Sequence, residues 1–136
     1  MLNKTKVLAV VAALALPGAG YGSGVGYSVV PLTDGTFEVL IPAERDPSET
    51  WCAAGDHALR YLDAARTSRV FLVRGVGPST TTAGRNAVTF SLDQPADVVP
   101  VRGIFDPSNL FLTLRREGAS LSVSHTQNLC PPNTRP

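Results

Sequence analysis

Four residues carry most of the chemistry this chain could offer: Cys52, His57, His125 and Cys130. They read as Cys-x4-His followed by His-x4-Cys, the donor types that hold tetrahedral zinc. The spacing argues against a metal. Cys52 and His57 fall in a helical pattern, where five residues turn about 500° and leave the two side chains about 140° apart. The histidines could instead serve as a base. Ser124-His125 supplies two members of a nucleophilic set, and His57 stands beside Asp56 and one turn from Tyr61. No G-x-S-x-G or comparable frame accompanies either histidine, and surface or capping roles are the simpler expectation. No catalytic residue, metal ligand or cofactor is assigned.

The cysteines have a better account. Lys4 and Lys6 precede an apolar run at residues 7–16 that is too short to span a bilayer, and Pro17 and Gly18 end it. Small residues at Gly18 and Gly20 suit cleavage before Tyr21. This is the layout of a secretory signal over residues 1–20, and it predicts a periplasmic or secreted product. In an oxidising compartment two thiols without other partners join, so Cys52 and Cys130 are expected to form a disulfide.

Cleavage at that point leaves 116 of the 136 residues, enough for one small domain. Its organisation reads as a loose segment at 21–26, a single domain at 27–130 and an unstructured tail at 131–136. Lys4 and Lys6 are the only lysines, so the mature chain sets ten arginines against eleven acids, a net charge of −1 where the full chain has +1. That balance offers no basic stripe for nucleic acid. No second apolar stretch approaches membrane-spanning length.

The segment 75–85, Gly-Val-Gly-Pro-Ser-Thr-Thr-Thr-Ala-Gly-Arg, has the composition of an anion cradle. A phosphate loop needs a helix after it, and here a strand pattern follows. A hydroxyl-rich hairpin loop touching a partner is the better expectation, with Gly77, Ser79, Thr80, Thr81, Thr82 and Arg85 as the contact residues.

These residues are positioned by a small set of elements. Two β-rich runs at 27–32 and 36–41 flank Asp34-Gly35, a hairpin signal, and Pro31 places the first run at a sheet edge. Asp46-Pro47-Ser48-Glu49 starts a helix expected over 47–66, with a capping acid, a proline at the first turn and a glutamate able to reach back. Trp51, Gly55, Ala58, Leu62 and Ala65 mark one buried stripe; Asp56 and Arg60 pair on the face expected to meet solvent. A central strand follows at 69–74. Residues 86–93 alternate, with Val88, Phe90 and Leu92 on one side and Thr89 and Ser91 on a wet one. A short strand around 98–101 and another at 110–115 come next. Leu121-Ser122 reads either as a strand pairing back or as the start of a short helix to Cys130; Ser122 at a cap position favours the helix. The sum is an α+β fold: an antiparallel sheet of four to five strands with one long helix packed on one face.

Trp51-Cys52-Ala53-Ala54-Gly55-Asp56, the strand ending Gly75-Val76-Gly77-Pro78-Ser79 and the late Leu129-Cys130 resemble a group of small exported alphaproteobacterial proteins. These share a Trp-Cys-x-Ala-x-Asp helix start, a Gly-x-Gly-Pro-Ser strand end and a terminal cysteine. The resemblance spans residues 37–130 and implies an exported protein with Cys52 and Cys130 paired. It implies no activity. The resulting expectation is a non-enzymatic binding or accessory protein of the cell envelope, partnered by another envelope protein; the alternative is a small periplasmic hydrolase using His57 or His125.

Overall fold

The computed structural model describes residues 21–22, 26–43, 46–97 and 114–132. Six strands and two helices follow in chain order: β1 (Tyr21–Gly22), β2 (Ser28–Pro31), β3 (Phe37–Ile41), α1 (Pro47–Tyr61), β4 (Arg69–Pro78), β5 (Asn86–Ser91), β6 (Ser120–Ser122) and α2 (Val123–Asn128). The strands form one antiparallel sheet in the order β1-β2-β3-β5-β4-β6. The fold is α+β, with five strands of three residues or more and β1 a two-residue addition at one edge.

The β2–β3 hairpin turns where Asp-Gly predicts. Gly35 takes φ +84°, and the Asp34 carboxylate accepts from the Thr36 amide at 3.1 Å. Pro31 does not put all of β2 at the edge, as expected from sequence. β1 pairs with Ser28 and Val29 and stops short of Pro31, so among the described residues only the proline end of β2 lacks an outer neighbour.

α1 begins as its sequence dictates: Asp46 accepts from the Ser48 amide at 2.9 Å, and Pro47 occupies the first turn. It ends at Tyr61, five residues before the expected 66. Asp63 adopts φ 54°, and the amides of Leu62 and Ala64 both return to the Ala58 carbonyl. Aspartate tolerates this left-handed conformation better than most residues, so it stops the helix as a glycine would.

One face of the sheet presents Val29, Phe37, Val39, Ile41, Val70, Leu72, Val88 and Phe90 to α1, which contributes Trp51, Ala54 and Ala58. Trp51 meets Phe90 edge-on with centroids 5.0 Å apart, an arrangement worth about 1 kcal/mol beyond its area. α1 is not amphipathic along a single stripe. Every residue from Thr50 to Ala58 is buried, Asp56 included, because α2 covers a second side of the helix. Gly55 permits this approach: a Cβ there would stand 1.7 Å from Thr126 Oγ1. Asp56 keeps its charge compensated by Arg60 Nε at 2.9 Å.

Both readings of Leu121-Ser122 hold. Ser120–Ser122 pairs with β4, and Ser122 then caps α2 by accepting from the His125 amide at 3.1 Å. Cys130 follows and joins Cys52 with Cα atoms 5.0 Å apart across 78 residues of sequence. In the chain-entropy model a loop of that size stabilises by about 4.5 kcal/mol, a large share for a domain of this length. The strand expected around 98–101 lies outside the described residues, as do residues 110–113 of the one expected at 110–115, whose last two residues are not in a strand. Leu114 is one of those two, and its carbonyl accepts from the Val76 amide at 2.8 Å.

Candidate functional site

β4 runs through Gly75, Val76 and Gly77 to Pro78, so the loop starts at Ser79 and not at Gly75. Two register shifts opposite β5, between Leu72 and Arg74 and between Arg74 and Gly77, let the strand bend there. Gly75 eases a close approach at this bend: a Cβ would lie 3.0 Å from the Leu114 carbonyl oxygen and 3.1 Å from the Arg115 Cα. The loop, residues 79–85, closes by the Ser79 amide donating to the Arg85 carbonyl at 2.8 Å. Gly84 makes the return at φ +76°.

The loop hydroxyls do meet an anion, and it belongs to the protein. Glu38, the second residue of β3, is only 1% exposed. Its Oε1 accepts from Ser79 Oγ and Thr81 Oγ1, both at 2.8 Å. Its Oε2 accepts from the Thr80 amide at 2.8 Å and from Thr80 Oγ1 at 3.1 Å. Ser79 Oγ also receives the amides of Thr81 and Thr82, at 3.1 and 2.9 Å, so one side chain both grips Glu38 and turns the loop. Burial alone would push the Glu38 carboxyl up. The Thr80 amide and the three hydroxyls outweigh it and hold the group below the ordinary glutamate range.

This clasp lies on the sheet face opposite α1. Glu38 points away from Phe37 and Val39, and it shares its face with Val30 and Thr89 through direct cross-strand pairing. Leu40 and its partner Ala87 continue that face, and with Val30 they form a second buried apolar cluster. Thr89 and Ser91, expected on a wet side, are 7% exposed each. Two open grooves flank the loop. One, of about 440 Å³, runs along residues 30–34 to Thr80 and Thr81; the other, of about 500 Å³, lies between residues 41–43 and 84–86.

Of the six contact residues expected from sequence, Ser79, Thr80 and Thr81 are brought together on Glu38. Gly77 lies within β4 opposite Ala87, Thr82 is half-buried at the turn, and Arg85 is exposed at the loop's return. Glu38 was missed. Its signal was present: a lone carboxylate inside Phe-Glu-Val-Leu-Ile, a strand otherwise apolar on both faces, needs donors from somewhere.

The histidines are far apart in character. His57 is 1% exposed and lies between the rings of Phe37 and Tyr61, with centroids 4.7 and 5.3 Å away. This corrects the expected surface position. Burial pushes its pKa down, and the neighbouring Asp56 carboxylate opposes part of that shift. His125 is exposed on α2. Both sulfurs of the would-be metal set are spent in the disulfide. No helix among the described residues is long and apolar enough to cross a membrane.

No protein-family model matches the chain, and no curated protein or solved structure matches it either.

Proposed function

We propose that this is an exported protein acting in the periplasm or outside the cell as a non-enzymatic binding or accessory component of the envelope, with residues 77–85 as its contact surface. The observation that carries the reading is the Glu38 clasp. It fixes the backbone of an exposed loop from within, with Ala83 exposed at the tip and Gly84 and Arg85 at the rim of a groove. A loop already held in one shape loses little entropy on binding, which favours recognition over chemistry. The basic-then-apolar leader at 1–20 and the Cys52–Cys130 bridge suit export. The resemblance of the Trp51–Asp56 and Gly75–Ser79 motifs to small exported alphaproteobacterial proteins fits the same reading. The alternative, a small hydrolase using His57 or His125, is disfavoured at His57, which lies between the rings of Phe37 and Tyr61.

The test is site-specific crosslinking in living cells from a photoreactive residue placed at Ala83. The full chain should fractionate with the periplasm or medium, start at Tyr21, and give one discrete adduct with an envelope protein that Arg85→Glu abolishes. Retention in the cytoplasm, or no adduct from Ala83 in a correctly exported protein, would overturn the proposal.

A further inference from the structure

We infer that residues 79–85 form a flap latched by Glu38 over the second apolar cluster, and that protonation of this one carboxylate releases it. The inference stands without any partner and does not depend on the reading above.

Register supplies the geometry. The loop leaves the sheet where Pro78 pairs with Asn86, and Asn86 faces Ile41. Glu38 faces Thr89, three positions further along β5, which is roughly 10 Å back from the loop's exit at strand rise. To reach Glu38, the loop must fold back along the sheet face. Leu40 and Ala87 occupy the intervening positions on that face, and Val30 stands directly across from Glu38. Val30, Thr80 and Thr81 also share the wall of one groove. The folded-back segment therefore covers the cluster of Val30, Leu40 and Ala87, and its attachment to β3 is the Glu38 carboxylate.

That attachment depends on charge. A carboxylate accepts all four hydrogen bonds with its two oxygens, whereas a carboxylic acid carries a proton on one of them. The proton comes from solvent and sits where a hydroxyl or the Thr80 amide now donates. The hydroxyls can rotate, but the Thr80 amide cannot, so at least one donor loses an ionic acceptor and the remaining bonds lose their charge assistance.

Among the described residues, no cation competes for this role. β2 brings Val30 and Pro31 towards Glu38, and β5 brings Thr89. On β4, Arg74 pairs with Thr89 by register but donates to the Pro78 carbonyl at 2.9 Å. The Asp34 carboxylate is engaged with Thr36 in its own turn. Arg85 is exposed at the far end of the loop. The latch is one acid held by neutral donors.

Amide hydrogen exchange on the full chain tests this, read as protection factors for Thr80, Thr81 and Thr82 with Val88 and Phe90 as core controls. In Glu38→Gln, the neutral isostere, the flap amides should lose about tenfold or more in protection at neutral pH, while the core amides are unchanged and the apolar dye ANS binds more strongly. In the natural protein the same selective loss should appear only on acidification through the Glu38 titration. Flap protection equal to the natural protein's in Glu38→Gln would overturn the inference. So would flap and core amides losing protection together on acidification, since release would then be no more than global unfolding.

Discussion

The Thr126 hydroxyl occupies the place where a side chain on Gly55 would begin, 1.7 Å from an ideal Cβ, with Thr126 Cβ at 2.6 Å. The contact sets how closely α2 approaches α1. It also explains why a glycine sits mid-helix at a propensity cost of about 1 kcal/mol. Cys130, a few residues beyond Thr126, then reaches Cys52, one turn before Gly55.

Gly55→Ala should therefore destabilise the fold by about 1–3 kcal/mol, although alanine is the better helix former. Urea unfolding measures the change. Combining it with Thr126→Gly, which removes both clashing atoms, should cost less than the two single changes added together. Strict additivity would mean that the two residues do not define the helix separation.

The buried His57 ring gives a pH signature. Its folded pKa is depressed, so the unfolded chain binds the extra proton first as pH falls. The stability linked to His57 is fully present above the unfolded value, about 6.5, and is lost as pH drops from there towards the folded pKa. Unfolding free energy should rise with pH across that window. His57→Phe keeps a ring between Phe37 and Tyr61 and should flatten the slope there. A slope unchanged in His57→Phe would assign it to another group.

What the sequence disclosed was local. Asp34-Gly35 specified a hairpin, Asp46-Pro47 a helix start, and Ser122 a cap, because each acts through backbone atoms two or three residues away. The cysteine pair was legible because only one pairing exists. Glu38 with Ser79, Thr80 and Thr81 was not legible, because the partners lie about 40 residues apart and meet only once the loop folds back over the sheet. Asp56 and His57 misled for a related reason. A polar helix face predicts solvent only if nothing else covers it; α2 packs along a second side of α1, and Phe37 of the sheet packs on His57. The loop's composition did announce an anion; it did not say that the anion was internal.

The account rests most heavily on an ionised Glu38 held by four donors, and a carboxyl-detected NMR titration of that one side chain tests it directly. The predicted midpoint lies below the ordinary glutamate value of about 4.3, with the amide signal of Thr80 moving in step. A midpoint at or above that value would mean that burial, and not the loop, governs the group, and would contradict the latch.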